Sequence, residues 1–452
     1  MRYWRRLSLT FFFLFLAVSA HGGGSIKTDI NGLPLHWEEE VIYNPDGGGL
    51  KNTNPAYNHE AALAIIEDAF DTWFEVLGEN PGLRVLQGPS LPGSGGDIDK
   101  NNFGDFFGVG TEACYDNNLD TPCLNPILFD ADGEIIDALF GECQKFSILG
   151  FAGFDDIEDG SGDPTLTVVK RGQALFSGAC IAPSEVKAGC GGCRRVLTDS
   201  EIRTIITHEI GHLLGMDHAQ VNPESFLDCV RNGACPPEVA GDLPTMFPIL
   251  VNGAAMLDLH ADDAAYFERL YGRPELNHCS VSGTVFASDG LTQARGVEVV
   301  ARNADSAQST LDAIAFVSGA QAPKLNNFSQ RQGNCKSDCG AFKITGLLPG
   351  QTYRLCAQPI LPQFTGGSSI EPVDPPFQGV SLICPPDLTV SCTCSNGTCE
   401  QFTGKHLVTG IDPNDIDKGG DEPQIVDSGA ESGGGCSLMP QRSRIFPSSH
   451  SR

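Results

Sequence analysis

The sequence predicts a mixed α+β unit with three helices, followed by a small all-β sandwich. Apolar residues recur at helical spacing in three segments of the first 272 residues, whereas the later chain shows short β-type runs between Gly and Pro turns. The cysteines divide in the same place, with eight between Cys114 and Cys235, eight between Cys279 and Cys399, and Cys436 alone. We therefore expect two disulfide-bonded units, at 33–272 and 278–400.

The first unit takes its predicted helices from the spacing of its apolar residues. Residues 57–77 read as a long amphipathic helix, and residues 165–176 alternate like a strand. A second helix is expected over 199–214, with Thr198 or Asp199 as its N-cap. A third, over 261–271, ends at Gly272 just before Pro274. These elements predict a core in which helices pack on a sheet.

The second unit is predicted from four β-type runs, at 280–287, 296–303, 341–347 and 352–359. Turn residues separate the runs, which is typical of a small β-sandwich. From 402 to 452 the chain becomes acidic, rich in Gly and poor in aromatic residues. We predict that this tail is disordered.

The charge of the chain excludes some classes of partner. Its 452 residues contain 57 Asp and Glu against 29 Lys and Arg, for a formal net charge of −28. Nucleic acids and anionic membrane surfaces would repel such a chain. Hydrophobic residues make up 40% of the sequence, which is enough for packed cores. We therefore expect folded domains that bind neither nucleic acid nor anionic lipid.

The first twenty residues predict export. A basic head with three Arg precedes an apolar run over 7–18, and small residues lead up to Ala20. The alternative is a membrane anchor, but the run is short for a bilayer and its small residues favour cleavage after Ala20. No later segment has the length and apolar character of a membrane span, so we expect a secreted, extracellular protein. Periplasmic or cell-surface locations stay open.

Seventeen Cys agree with export, because disulfides persist in oxidising compartments. The pairing cannot be derived from the sequence; Cys114/Cys123 and Cys229/Cys235 are near neighbours that could pair. The segment 190–193 reads CGGC, which also occurs in redox-active and metal-binding sites. In an exported chain without a matching second pair, structural disulfides are the favoured interpretation.

One motif carries the chemistry: residues 208–218 read HEIGHLLGMDH. His208 and His212 are four apart on a predicted helix, so both imidazoles project from one face and can share a metal ion. Gly215 allows a left-handed helix end, after which His218 can return as a third ligand. Three neutral nitrogen ligands with an open fourth position predict a catalytic zinc site, with Glu209 as general base for a water molecule.

The alternative is a helix that carries buried histidines without a metal. For a single His that would be the better interpretation. Five fixed positions in the spacing HExxHxxGxxH are rare by chance, however, and three of the ten His of the chain lie in these eleven residues. The motif therefore favours catalytic zinc.

This extended motif resembles that of the metzincin metalloproteases, and among them the matrixins. The resemblance implies a mostly parallel sheet with three helices over 33–272, and a Met-containing turn beneath the metal, which residues 243–248 (LPTMFP) place at Met246. It also implies that Phe247 and Pro248 line the pocket for the residue after the scissile bond. Asp262 and Asp263 would make buried contacts near this turn, or would simply form an acidic pair at a helix N-terminus.

The chain departs from the matrixin pattern in three ways. It has no His upstream of the motif that matches the second, structural zinc site of vertebrate matrixins, so we predict that this site is absent. No Cys precedes Cys114, which argues against a prodomain with a zinc-capping cysteine. The segment between His218 and Met246 is longer than in the family and contains Cys229 and Cys235, which could brace a loop at the rim of the cleft.

A calcium site is a second hypothesis. Asp130, Asp132 and Asp137 flank a Gly turn, and carboxylate oxygens suit Ca²⁺. Matrixins bind calcium in a comparable loop. The alternative is an ordinary acidic turn, because Asp-Gly is a strong turn signal.

The β unit loosely resembles carboxypeptidase regulatory-like, transthyretin-type domains, and no catalytic residues stand out there. The end of the tail, Gly-rich before Cys436, is similar to some bacterial C-terminal sorting signals but lacks their apolar helix. Both surface attachment through this tail and a flexible end with a free thiol stay open.

The sequence therefore predicts a secreted zinc endopeptidase with a polypeptide substrate, in which Glu209 activates the water. The alternative function is a surface binding or adhesion protein in which the β unit matters and the protease unit is residual. Retention of Glu209 argues against that alternative, because an inactive site has no need of it.

Overall fold

The computed structural model describes residues 24–78, 82–91, 97–107, 124–156, 168–182, 190–193, 195–219, 221–232, 235–323, 335–360 and 383–416. The predicted signal segment lies outside these residues. So do Cys114, Cys123 and Cys436. Predictions that concern them stay predictions.

The first unit is built on a five-stranded sheet in the order β2-β1-β3-β5-β4. Its strands are β1 (Glu40–Pro45), β2 (Arg84–Gln87), β3 (Asn125–Asp130), β4 (Gly150–Asp156) and β5 (Arg171–Ser177). The first, second, third and fifth strands run parallel, and β4 pairs antiparallel with β5 at one side of the sheet. The mostly parallel sheet predicted from the resemblance is observed.

Helices surround this sheet. They are α1 (His59–Glu75), α2 (Glu134–Phe140), α3 (Asp199–Leu213), α4 (Pro223–Asn232), α5 (Pro237–Ala240), α6 (Ala261–Tyr271) and α7 (Pro274–Asn277). The three helices predicted from periodicity are found as α1, α3 and α6, each within two residues of its expected bounds. The shorter helices were not predicted. The predicted cap of α3 is confirmed: Thr198 and Glu201 form a reciprocal capping box, which satisfies amides that the helix itself leaves free.

The core fixes α3 against its neighbours. Trp73 of α1 is fully buried, and its Nε1 donates to the carbonyl oxygen of Thr207 at 2.9 Å. The ring of Trp73 also lies 5.2 Å from that of Phe267 in α6. One large side chain thus joins α1, α3 and α6, and it holds α3 at the turn that carries the HExxH residues.

The second unit contains the remaining strands, in sheets of four (β11-β10-β7-β8), three (β14-β6-β9) and two strands (β12-β13). Their bounds are β6 (Cys279–Phe286), β7 (Val297–Asn303), β8 (Ala313–Val317), β9 (Ala341–Leu347), β10 (Thr352–Pro359), β11 (Thr389–Ser391), β12 (Cys394–Ser395), β13 (Thr398–Cys399) and β14 (Gln401–Val408). The two larger sheets share one hydrophobic cluster, which includes Val281, Val299 and Leu355. The sandwich class itself stays a prediction.

The prediction that the chain is disordered from residue 402 onward is wrong for its first part. Residues 401–408 form β14, which pairs in parallel with β6 through six residue pairs. The strand was hidden because most of its side chains are exposed or polar, and only Leu407 is deeply buried. Backbone hydrogen bonds hold it in place, so no apolar alternation marks it in the sequence.

The disulfides respect the two units. Among the described residues the pairs are Cys143–Cys190, Cys180–Cys193, Cys229–Cys235, Cys279–Cys392, Cys335–Cys339, Cys356–Cys384 and Cys394–Cys399. The CGGC cysteines bond to different partners, so this segment is structural and not a redox pair in this state. Such a density of disulfides is typical of proteins that fold in an oxidising compartment.

None of the helices in the described ranges combines the length and the apolar character that crossing a bilayer requires.

The two units are joined by contacts along α6. The carboxylate of Asp262 accepts a hydrogen bond from the amide of Ala315 in β8 at 2.6 Å. Further along α6, Arg269 donates to the carbonyl oxygen of Lys343 in β9 at 2.8 Å. Ala265, on the same helix, belongs to the hydrophobic cluster of the β unit. A helix of the first unit therefore completes the core of the second.

Glu298 lies in this junction between the two units. Its carboxyl group makes the stability of the protein depend on pH. Its side chain is fully buried, and burial raises its pKa from an ordinary 4.5 to about 7. Between these values the folded protein holds a proton that the unfolded chain releases, so unfolding becomes easier as pH rises. The loss, about 3 kcal/mol, is complete above pH 7. We expect Glu298→Gln to raise the free energy of unfolding at pH 8 and to change it little at pH 4.

Chemical denaturation at both pH values measures this effect. Glu400→Gln, at an exposed position, is the control and should match the wild type at either pH. A stabilisation by Glu298→Gln that is the same at pH 4 and pH 8 would contradict the prediction.

Candidate metal centre

The end of α3 brings the three motif histidines together. His208 and His212 lie one turn apart on the same face of the helix, and both are fully buried. The helix ends at Leu213, and Gly215 just beyond it has a left-handed φ of +92°, as the sequence predicted. The amide of Met216 then donates to the carbonyl oxygen of Gly211 at 2.9 Å, which closes the turn. The chain reverses and carries His218 back to the helix.

The three imidazoles converge on one point. Nε2 of His208 lies 3.0 Å from Nε2 of His212 and 3.1 Å from Nε2 of His218. Across a tetrahedral ion with ligand bonds of about 2.0–2.1 Å, nitrogen atoms would be about 3.3 Å apart. The observed spacing is within a few tenths of an ångström of that value, so this group has the size of a metal site.

Hydrogen bonds on the far side of two rings fix their tautomers. Nδ1 of His208 lies 2.8 Å from the carbonyl oxygen of Thr245, and Nδ1 of His212 lies 2.8 Å from that of Met216. Since a carbonyl can only accept, each Nδ1 carries the proton, and each Nε2 presents a lone pair. Two lone pairs that face each other at 3.0 Å repel unless a cation lies between them. The donor set therefore fits a metal ion.

The same rings are held neutral. Burial lowers the pKa of His208 well below its usual value, and the neighbouring His212 lowers it further. Burial also lowers the pKa of His212 to about 4. Neutral imidazole is the form that binds metal ions, so the protein environment favours the ligand state at neutral pH.

Glu209 lies beside this cluster, with its carboxylate fully buried. Burial raises its pKa well above the usual value, and the backbone amide of Ala152 acts in the opposite direction. Neither oxygen makes a hydrogen bond of full geometry to the described residues. A buried carboxyl group without such partners is costly for a fold, so its retention points to chemistry.

Strand β4 runs directly over Glu209. A methyl group added at Gly150, the first residue of β4, would lie 2.7 Å from Cγ of Glu209. Only glycine leaves room there for the glutamate side chain. The strand and the carboxylate are therefore in contact, and β4 places the side of the sheet next to the metal centre.

Met246 occupies the turn predicted for it. The amide of Phe247 donates to the carbonyl oxygen of Pro244 at 2.9 Å, so Thr245 and Met246 form the two central residues of a β-turn. Met246 is fully buried, and a methyl group added at Gly211 would lie 2.5 Å from its sulfur. The sulfur thus packs against the helix between His208 and His212.

The two acidic residues of α6 have different roles. Asp263 accepts hydrogen bonds from the amides of Thr245, Met246 and His260 at 2.9, 3.2 and 2.9 Å. It supports the Met turn, as the resemblance implied. Asp262 does not: its carboxylate bonds to Ala315 in the β unit. Successive side chains of a helix point in different directions, so these two adjacent residues meet different neighbours. The sequence alone did not show which of them would support the turn.

Phe247 and Pro248 follow the Met turn in buried positions. The ring of Phe247 lies 5.6 Å from that of Phe226 in α4, within a hydrophobic cluster beside the histidine helix. The insertion between His218 and Met246 thus packs onto the segment expected to line the substrate pocket, and Cys229–Cys235 braces it as proposed. The role of Phe247 and Pro248 in substrate binding stays a prediction.

The three carboxylates of the calcium hypothesis are engaged separately. Asp130 accepts from the amide of Ile136, and Asp132 accepts from that of Glu134. Asp137 accepts from the amide of Lys145, and its other oxygen lies 3.8 Å from the Lys145 ammonium. The helix that starts after Gly133 turns Asp137 away from the loop. Among the described residues the three do not form a metal-ligand group, and calcium stays a prediction.

A second cluster of metal-ligand atoms, formed by Cys279, Cys394 and Cys399, offers no thiolate. Cys279 is bonded to Cys392, and Cys394 is bonded to Cys399. Oxidised sulfur is a poor ligand, so this group is structural.

Sequence reasoning missed two residues of the centre's surroundings. Gly150 begins a strand whose small residues gave no clear alternation, although the pair Phe151 and Phe154 hinted at it. Asn222, four residues after His218, adopts a left-handed φ of +63° and bonds to both units. An Asn just before a helix-starting Pro was a local signal for that residue.

No protein-family model matches the chain, and no curated protein matches it. Among solved structures, the chain is similar to the dioxygenase domain of a dioxygenase carbohydrate-binding protein fusion from the cellulolytic bacterium Streptomyces sp. SirexAA-E. The identity is 15%, the similarity covers 30% of this chain and 81% of that one, and the TM-score is 0.17. At that score the similarity carries no argument about fold or function.

Proposed function

We propose that the protein is an exported zinc endopeptidase of matrixin type. One observation carries the proposal: the Nε2 lone pairs of His208 and His212, joined by His218, meet beside the buried carboxylate of Glu209, which makes no hydrogen bond of full geometry to the described residues. Three nitrogen donors and an adjacent free carboxylate are the components of a hydrolytic zinc site. The Met turn and the mostly parallel sheet with its antiparallel β4 support the same assignment.

Zinc suits this donor set better than harder cations. Calcium and magnesium prefer oxygen ligands, whereas neutral imidazoles bind zinc and other late transition metals. When bound, zinc would polarise a substrate carbonyl and acidify a water molecule. His208 and His212 would hold it in fixed orientation, because their Nδ1 protons are tied to backbone carbonyls.

Glu209 would move the proton. Its carboxylate takes a proton from the attacking water as the water oxygen bonds to the peptide carbonyl carbon. It then gives that proton to the amide nitrogen as the C–N bond breaks, so that a carboxylic acid and an amine form, and the acid passes its remaining proton to the amine or to solvent as the products leave. Burial suits this task, since a raised pKa makes Glu209 a stronger base than an exposed glutamate.

The substrate would lie along β4. This strand is the last of its sheet in the described part of the chain, so one row of its backbone groups can pair with an extended peptide. Because Gly150 touches Glu209, a peptide paired with β4 would pass the carboxylate and the histidines. The proposed substrate class is therefore an extended polypeptide segment.

Gly150→Ala tests this arrangement. The added methyl group must displace Glu209, and a shift of about 1 Å in a catalytic group lowers activity by roughly 10- to 100-fold. We expect that loss in kcat/KM while the zinc content stays at the wild-type level. Gly104→Ala is the control, because the structure leaves open space at that residue. Unchanged kcat/KM in Gly150→Ala would separate β4 from the reaction.

The proposal as a whole is tested by metal analysis together with proteolysis. The purified protein should contain about one zinc per chain. It should cleave an unfolded, reduced and alkylated protein, lose this activity to a chelator, and regain it with added zinc. A protein that binds zinc yet cleaves no peptide in a diverse library would refute the protease assignment and favour the binding or adhesion alternative.

A further inference from the structure

The segment that follows His218 makes contacts on two sides. The amide of Ala219 donates to the carbonyl oxygen of Met246 at 2.9 Å, which ties the segment to the Met turn. Two residues later, Val221 is buried against Val300 of β7 and against β8 residues Ala313 and Ala315. The chain next to His218 therefore lies between the Met turn and the β unit.

Asn222 joins these parts by hydrogen bonds. Its Nδ2 donates to the carbonyl oxygen of Asp242 at 2.6 Å and to that of Thr310 at 2.9 Å. Its Oδ1 accepts from Nη1 of Arg302 at 2.7 Å. Asp242 leads into the Met turn, whereas Thr310 and Arg302 belong to the β unit. One amide group thus connects the exit from His218, the approach to Met246 and the second unit.

The backbone conformation at residue 222 favours asparagine at this position. Its φ of +63° lies in the left-handed region, where a residue other than glycine costs free energy. Asn adopts this region more readily than most residues. The three hydrogen bonds of its side chain offset the cost. A Gly would fit the backbone better and would lose all three bonds.

Arg302 completes the connection from the β7 side. It bonds to Asn222 through one guanidinium nitrogen and lies 3.4 Å from Oε1 of Gln358 in β10 through the other. A planar guanidinium can hold two acceptors in fixed directions, which a single ammonium cannot. The side chain is half-buried, so water competes for these bonds only in part.

We propose that Asn222 and Arg302 are positioning residues for His218 and the Met turn, and that the β unit is thereby a working part of the metal centre. This inference rests on the proposed function and assigns the β unit its task there. The β unit keeps the third ligand in place and so slows loss of the metal. It is not an independent module beside a self-sufficient protease unit.

Two variants test the connection, with one control. Asn222→Gly removes the three bonds without straining the backbone and without changing any charge. Arg302→Ala removes the guanidinium, which carboxylates of Glu224 and Glu298 also face. Arg354 lies opposite Arg302 on β10 but is exposed, so Arg354→Ala is the matched control. Arg302→Lys keeps the positive charge but loses the planar guanidinium that can hold two acceptors at once.

The first measurement is release of zinc to a chelator from the loaded, full-length protein. Direct partners of metal ligands affect affinity by about 10- to 100-fold, and Asn222 and Arg302 act on His218 only through the backbone, so we expect release at the lower end of that range, about tenfold faster, in Asn222→Gly and Arg302→Ala. Arg302→Lys should fall between these variants and the wild type, and Arg354→Ala should match the wild type. Release within twofold of wild type in both test variants would overturn the inference.

The second measurement is amide hydrogen exchange in the metal-free protein, which does not depend on zinc or on peptide cleavage. Exchange at Ala219 should rise at least about tenfold in both test variants, while amides of α1 keep wild-type rates. A rise at all amides alike would mean general destabilisation and would overturn the positioning role. If the wild type binds no zinc, the proposed function fails, and this result still decides whether the β unit holds the segment.

Discussion

Replacing Glu209 with alanine should lower kcat/KM by about 10²- to 10⁴-fold while leaving one zinc per chain in place. The side chain contributes the base and the proton donor, and neither His208 nor His212 can take over that role while its Nε2 is a ligand. Glu209→Gln should lose a comparable amount, since an amide keeps the shape but cannot accept the proton. Cleavage of a fluorogenic peptide and metal analysis of the same samples measure both quantities.

The same substitution should make the metal-free protein more stable. Glu209 is fully buried without a hydrogen bond of full geometry among the described residues, so its removal relieves a desolvation cost of about 1–3 kcal/mol. Lower activity with higher stability is the behaviour of a functional residue. Glu60→Ala, at an exposed position of α1, is the control for both measurements. Glu209→Ala that retains a tenth of the wild-type activity would contradict the assigned role.

Asp263→Ala should cause a large loss of stability in the first unit. Three amides, of Thr245, Met246 and His260, would lose their acceptor in a buried place, at about 1–3 kcal/mol each. Removal of the carboxylate relieves its own desolvation, since burial raises the pKa of Asp263 to about 6. That relief is about 3 kcal/mol. The orphaned amides outweigh it, and we expect a net loss of about 3 kcal/mol.

Denaturation of the metal-free protein measures this loss, and zinc titration shows its consequence for the site. Since Thr245 also orients His208, the variant should bind zinc more weakly than the wild type. Asp258→Ala, at an exposed position just before α6, is the control. The free energy of unfolding of Asp263→Asn should fall between those of Asp263→Ala and the wild type, because the amide keeps one acceptor oxygen. A free energy of unfolding within about 0.5 kcal/mol of wild type in Asp263→Ala would contradict the prediction.

The features that the sequence predicted well are those set by neighbouring residues. The helix ends near Thr198 and Gly215 and the spacing of the three histidines each depend on a few neighbouring residues, and the structure has all of them. The turn at Met246 was implied by the resemblance to metzincins and is also present. The physical causes of the helix ends and of the histidine spacing, namely capping, left-handed backbone and side-chain periodicity, act over one or two turns. A single sequence is sufficient for such features.

What the sequence did not predict depends on distant parts of the chain. Asp262 and Asp263 are neighbours with the same chemistry, yet one meets β8 and the other the Met turn. Strand β14 is held by backbone pairing with a strand more than a hundred residues away, which leaves no apolar pattern. Asp137 shares a loop motif with Asp130, but the start of α2 turns it toward Lys145. Tertiary packing decides these outcomes.

The overlapping disulfide loops of the first unit would affect how the proposed protease withstands cleavage by its own copies. An endopeptidase is always surrounded by copies of its own chain, and surface loops are where such chains are cut. Cys143–Cys190 closes a long loop, and Cys180–Cys193 closes a shorter one that overlaps it between residues 180 and 190. A cut inside either loop would open the backbone without releasing a fragment. Molecules cut once in this region would therefore stay covalently joined, heavier only by the added water, and would separate into pieces only after reduction.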